Sequence, residues 1–184
     1  MSLVDAIAKN CAGYRLPQNL VIALARVQSD MTMSATHYDV DYRWMWDCDE
    51  DEPFRRLEDF ERHDMAPSDF IAPPNCDTPT TEWIGQKMRW GPFLVHGAIL
   101  RERRYWGPFA VMCSDPEKAA RFACSHLSNL HDRYFARHGW AGVVAAFDAG
   151  RPRKDEFGDY VNSDFLKRVG QVKNAAPLLG RYGS

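Results

Sequence analysis

The side chains best equipped for chemistry in this 184-residue chain are its cysteines, histidines and carboxylates, and their spacing limits what they can do. Cys113 or Cys124 with His126 or His131 would combine a thiol with a base, the two parts of a nucleophilic pair. The same residues recur at helical spacing, which assigns them instead to core and surface positions of a helix. The five cysteines (Cys11, Cys48, Cys76, Cys113, Cys124) are scattered and form no CxxC pair. A zinc site wants paired ligands at short spacing, and Cys124-Ser125-His126 alone supplies too few. Reduced, mostly buried thiols and no metal are therefore expected. The chain has no GxSxG elbow, HExxH pair, Walker-type loop or GxGxxG turn, and no cofactor is expected.

Composition narrows the partners. A formal charge of −2 provides no global attraction for nucleic acid or anionic lipid, so no nucleic-acid partner is expected. Two local basic clusters, Arg101 with Arg103 and Arg104, and Arg151 with Arg153 and Lys154, read as a solvated helix face and a loop. The opening MSLVDAIAKN lacks a basic segment followed by an apolar run, so it does not read as a secretory signal. No window approaches the ~18 apolar residues of a membrane span. The expected site of synthesis is the cytoplasm.

Elements that would position a site follow from periodicity and caps. Leu3 to Cys11 reads as a short helix. Pro17 suits a first helical turn, and Leu20, Ala23, Leu24 and Val27 repeat behind it at helical spacing. Met31 to Thr80 lacks sustained periodicity. Within it Tyr38, Tyr42, Trp44 and Trp46 fit either a short alternating strand or the core side of a long loop, and Pro73, Pro74 and Pro79 enforce irregular backbone. A helix is expected from Thr81 to Trp90, a break at Gly91-Pro92, and another helix from about Phe93 to Arg103. Asp115-Pro116-Glu117 is a start signal, with Ala120, Cys124, Leu127, Leu130 and Tyr134 on one stripe and Gly139 as the stop. Trp140–Ala149 and Val161–Val172 are two further helices. The expectation is a mainly α single domain over 1–184, with an irregular insertion at 31–80 and a C-terminal tail at 173–184. Leu24, Val27, Leu127, Leu130 and Val144 are expected in its core.

Several of these segments, in this order, resemble the lysozyme-fold (goose-type) lytic transglycosylases encoded by phages. The resemblance rests on Tyr38-Asp39-Val40-Asp41-Tyr42-Arg43-Trp44-Met45-Trp46-Asp47, Pro53-Phe54-Arg55-Arg56, Ser68-Asp69-Phe70 with Ala72-Pro73-Pro74, and Thr81-Glu82-Trp83-Ile84-Gly85-Gln86. It continues through Trp90-Gly91, Cys113, Asp115-Pro116, Cys124-Ser125-His126-Leu127, Ala145-Ala146-Phe147-Asp148-Ala149-Gly150 and Tyr160-Val161-Asn162. It spans roughly residues 15 to 170 and implies the fold; activity is a separate question.

Such an enzyme needs one carboxylic acid kept protonated near neutral pH by an apolar surround. The resemblance implies a valine-glutamate-serine motif at the end of the second helix, where this chain has Val27-Gln28-Ser29. An amide neither gives nor takes that proton, which forfeits a factor of roughly 10²–10⁴. The implied glycine-leucine-methionine-glutamine motif is Gly91-Pro92-Phe93-Leu94, and Leu94 makes no polar contact with a sugar. The tyrosine expected over the acid is Phe147, and its neighbouring asparagine is Asp148. Asp30, Asp39, Asp41 and Glu82 lie in segments that border the family's cleft. Asp39 matches a usual acid and is the surviving candidate, since an inverting lysozyme needs carboxylates about 6.5–9.5 Å apart.

The function expected is a degenerate transglycosylase domain retained as a structural part of a phage virion, in tail or baseplate, with other virion proteins as partners. An active peptidoglycan hydrolase with a relocated acid, and a module that binds glycan strands without cutting them, are the alternatives. The six tryptophans suit sugar stacking and core alike, with core the default. Trp90, Pro92, Phe93 and Phe147 are expected to form an apolar rim open to a protein partner.

Overall fold

A computed structural model describes residues 1–58, 61, 64–74, 76, 78–172 and 175–182. Parts of the 31–80 insertion and of the 173–184 tail lie outside the described residues. The protein is mainly helical, and the chain gathers into two compact units, residues 1–31 with 120–184 and residues 32–119.

In the first unit α1 (Leu3–Tyr14) starts at Ser2, whose Oγ accepts from Asp5 N while the Asp5 carboxylate accepts from Ser2 N. This reciprocal cap satisfies two of the donors a helix start leaves open. Pro17 is the N-cap residue of α2 (Gln18–Ser29), and left-handed Asp30 and Met31 stop that helix. Leu20, Ala23 and Leu24 are buried as their spacing requires, whereas Val27 is only half-buried, because the last turn of α2, Arg26–Ser29, contains no buried residue.

The start signal at Asp115 opens α5 (Pro116–Ala149), whose first turn belongs to the second unit and the rest to the first, and Asp115 Oδ1 accepts from Lys118 N at 3.1 Å. Gly139, at φ +58, breaks the helix into two halves, and the second runs from Trp140 as expected. Ala120, Cys124, Leu127, Leu130 and Val144 are buried, and Tyr134 is half-buried. α6 (Ser163–Gln171) packs on α2 and on α7 (Ala176–Leu179), followed by a 3-10 turn at Gly180–Tyr182. Leu179 and Tyr182 are buried, so this part of the expected tail belongs to the core.

The second unit contains residues 32–80 of the expected insertion, whose described residues are largely irregular with three short strands: β1 (Thr36–Tyr38), β2 (Trp46–Asp47) and β3 (Glu52–Pro53). Its backbone is held from beneath by an aromatic cluster. Met45, Phe70 and Trp83 are buried, and Phe54, Phe70 and Trp83 meet edge to face at centroid distances of 4.9–5.8 Å. The expected helix to Trp90 ends early: α3 covers Pro79–Lys87, and Met88–Trp90 is strand β4, paired antiparallel with β1 on one side and with β5 (Val95–His96) on the other. The expected helix from Phe93 likewise starts later, as α4 (Gly97–Glu102). Residues 91–94 are the tight turn joining β4 to β5. Gly91 has φ +71, and a Cβ there would lie 2.5 Å from the Met112 carbonyl oxygen, so only glycine fits.

Candidate functional site

Gln28, Phe147 and Asp148 belong to the first unit, and Asp39, Gly91 and Leu94 to the second. Gln28 lies half-buried on the last turn of α2, one residue before the helix ends. Phe147 and Asp148 lie on the last turn of α5, also half-buried. The Phe147 ring tilts against the His126 imidazole at 5.5 Å, and it brings no hydroxyl to that position. Asp148 Oδ2 accepts from Asn162 Nδ2 at 2.9 Å, and the same Nδ2 donates to the Ala145 carbonyl at 3.1 Å. Asp148 therefore secures the approach to α6.

In the second unit Asp39 follows β1, level with Lys87, to whose carbonyl its N–H donates. Gly91 is level with Ala35 on the same ladder. The two levels are four residue steps apart, roughly 14 Å along the sheet. Asp39 and the 91–94 turn thus stand at opposite ends of the β1–β4 pair. Asp39 Oδ2 accepts from Arg89 at 3.2 Å and lies 3.3 Å from His96 Nε2. Partial burial works to raise this carboxyl, but its hydrogen bonds to Arg89 and His96 and the Arg89 charge outweigh it and hold its pKa below the ordinary value.

His96 is buried, and its ring stacks on Tyr42 at 3.8 Å. Burial first, then the Arg89 charge, push its pKa down to about 3, so the imidazole is neutral at pH 7. Below this cluster Lys87, fully buried, donates from Nζ to the Val40 carbonyl at 2.5 Å. Its pKa is lowered by burial. The three strands thus carry a polar knot that fixes residues 38–42.

Glu82 occupies a different place. It is 1% exposed, and Arg101, 3% exposed, reaches both its oxygens, Nε to Oε1 at 2.7 Å and a terminal nitrogen to Oε2 at 2.9 Å. Gln86 Nε2 also donates to Glu82, and its Oε1 accepts from Trp46 N at 2.8 Å. Cys48 lies 3.8 Å from Glu82. Burial and the Glu82 charge push the Cys48 thiol up to about 12, which makes it a poor nucleophile. Arg101 was expected on a solvated face; it is a core residue instead, stacked over Phe109 at 4.0 Å.

Asp30 and Asp41 stand in solvent. All five thiols are free, with Cys11 and Cys124 buried and the other three half-buried. Among the described residues no group of three or more His, Cys, Asp or Glu side chains could hold a metal, and no helix is long and apolar enough to cross a membrane.

The residues expected to form an apolar rim belong to both units and differ in burial. Pro92 and Phe93 are buried, and Trp90 and Phe147 are half-buried. Trp90 stacks on Phe109 and donates from Nε1 to the Gly85 carbonyl. Of the six tryptophans only Trp83 is fully buried, while Trp44 is 78% exposed, a position that core reasoning missed and that no periodicity marked.

Compared with known proteins, the chain matches no protein-family model, no curated protein and no solved structure.

Proposed function

We propose that this chain is a lysozyme-like domain of lytic-transglycosylase type that has lost its chemistry and serves as a structural component of a phage particle, in tail or baseplate. The observation that carries the reading is Gln28, an amide on the last turn of α2 where such an enzyme keeps its proton-donating glutamate.

The neighbouring carboxylates support the same reading. Asp39 is bonded to Arg89, and a carboxyl with a lowered pKa is a poor proton donor at neutral pH. Glu82 is enclosed by Arg101 and Gln86 and is out of reach of any substrate. Some of the residues that carry the resemblance serve the second unit's own structure. Phe54, Phe70 and Trp83 form its aromatic cluster, and Arg55 binds Asp69 at 2.6 Å. Selection for a scaffold keeps such residues when catalysis is no longer needed.

Two measurements test the proposal. Purified protein should release no muropeptides from peptidoglycan, and mass spectrometry should find the chain in purified particles. Muropeptide release at an enzymatic rate, or consistent absence from particles, overturns it. Trp44, whose exposed ring is a platform for a sugar face, favours a second reading as a non-cleaving glycan-binding module. Retention on insoluble peptidoglycan, lost in Trp44→Ala, would select that reading.

A further inference from the structure

The first unit is built from two stretches of chain, residues 1–31 and 120–184, and the whole of the second unit lies between them in sequence. Two cysteines meet at the seam of those stretches. Cys11 is on the last turn of α1 and Cys124 in the first half of α5, 3% and 0% exposed, with their Sγ atoms 4.0 Å apart. The sulfurs are thus in van der Waals contact across 113 positions of sequence. The other three thiols point at carbonyls instead: Cys48 at Trp46, Cys76 at Thr78 and Cys113 at Ala35.

We propose that Cys11 and Cys124 form a reversible redox site, in which a hydroperoxide oxidises the two thiols to a disulfide joining both stretches of the first unit. A disulfide is about 2.0 Å long, so the sulfurs must close by roughly 2 Å, shared between their side-chain torsions and a small shift of α1. α1 has only four buried side chains, Ala6, Ile7, Asn10 and Cys11, and its local opening admits a molecule as small as hydrogen peroxide. Cys11 reacts first. The hydrogen bond from Cys124 lowers its pKa, whereas the same bond and then burial raise that of Cys124, so the thiolate forms on Cys11.

The Cys11 thiolate attacks one peroxide oxygen, the O–O bond breaks, and the departing hydroxide takes up the proton that Cys11 released, leaving a sulfenic acid. Cys124 Sγ then attacks Cys11 Sγ, the S–O bond breaks, and the second hydroxide leaves as water with the Cys124 proton. Two thiols and one hydrogen peroxide become one disulfide and two waters, the sulfurs losing the two electrons that the peroxide gains. The bond closes a span that contains the second unit, so opening of that unit no longer frees the two stretches of the first from each other. A reducing compartment keeps the pair as thiols, and an oxidising one closes it.

The experiment treats the folded full chain with a small excess of hydrogen peroxide, then alkylates it and digests it with trypsin. Peptides Asn10–Arg15 and Phe122–Arg133 should appear joined, and free thiols should fall from five to three. Tm should rise by about 5 °C or more and return to its starting value with dithiothreitol. Cys124→Ala should leave a sulfenic acid on Cys11 that dimedone traps, and Cys11→Ala should leave Cys124 unoxidised. Folded protein that keeps both thiols, Cys11 joined to a different cysteine, or a link that forms only in urea overturns the proposal. The peptide map of the parent chain decides this even where neither variant folds. An oxidised form that melts below the reduced one overturns it as well.

Discussion

Arg101 closes on Glu82 with two parallel hydrogen bonds of 2.7 and 2.9 Å in a part of the second unit where neither side chain is more than 3% exposed. The pair joins α3 to α4, and through Gln86 it reaches the backbone of Trp46 on β2. Removing one partner leaves the other charge buried and alone, which typically costs 3–5 kcal/mol. Glu82→Gln keeps the shape and one acceptor but strands the guanidinium. We expect it to lower unfolding free energy by about 3 kcal/mol in urea titration. A loss under 1 kcal/mol would mean that the pair is solvated in solution.

His96 makes stability depend on pH. It faces Asp39, Arg89 and the Tyr42 ring, and its pKa is about 3 in the folded protein against an ordinary 6.5. As pH falls below about 6.5 the unfolded chain takes up this proton and the folded protein does not. The contribution is therefore complete above about 6.5 and is lost progressively as pH falls toward 3, amounting to a few kcal/mol. Asp39, whose pKa is lowered, acts in the same direction below about pH 4, where its unfolded form protonates first. His96→Gln should flatten the stability curve between pH 6.5 and 4. Parallel curves for the two proteins would show that another group titrates.

The helical first unit was largely legible because its signals are local. Asp115-Pro116 caps α5, Gly139 interrupts it, and Leu20, Leu24, Leu127 and Leu130 mark its buried faces within a few residues of one another. The second unit depends on non-local partners and was read poorly. Met88–Trp90 becomes strand only because Thr36–Tyr38 pairs with it, across some fifty residues. Three residues are too few to show a period of two. Arg101 looked like part of a basic surface because its neighbours Arg103 and Arg104 are charged, and its partner lies 19 residues away. The amide at Gln28 is read directly from the sequence, whereas the bonding of Asp39 to Arg89 becomes visible only in three dimensions.

Glycine at 97 permits the close approach of α4 to α3. A Cβ there would collide with the Gly85 carbonyl and come within 2.8 Å of Gln86 Cα, both backbone atoms that cannot swing aside. Gly97→Ala should destabilise by about 2 kcal/mol or more. Gly13 in α1 has nothing within 4 Å of a built Cβ, so Gly13→Ala should be neutral or stabilising by up to about 1 kcal/mol. Paired thermal melts decide this, and similar melting temperatures for the two variants would contradict the close packing of α3 on α4.

On the proposed reading, a carboxyl at position 28 tests whether only one residue separates this chain from an enzyme. Gln28→Glu places a carboxyl on the last turn of α2, but a proton-donating acid also needs a surround that keeps it protonated. Phe147, where the resemblance implies a tyrosine, packs on His126 and has no hydroxyl to offer. Leu94, at φ +46 in the β4–β5 turn, has no polar atom beyond its backbone for a glycan. We therefore expect Gln28→Glu to leave peptidoglycan turbidity unchanged, with muropeptide release no more than about tenfold above the parent's background, far short of the 10²–10⁴ a working acid contributes. Strong hydrolysis by Gln28→Glu would show that the rest of the machinery is intact. Strong hydrolysis by the parent, abolished by Asp39→Asn, would show that Asp39 leaves Arg89 to act as the acid.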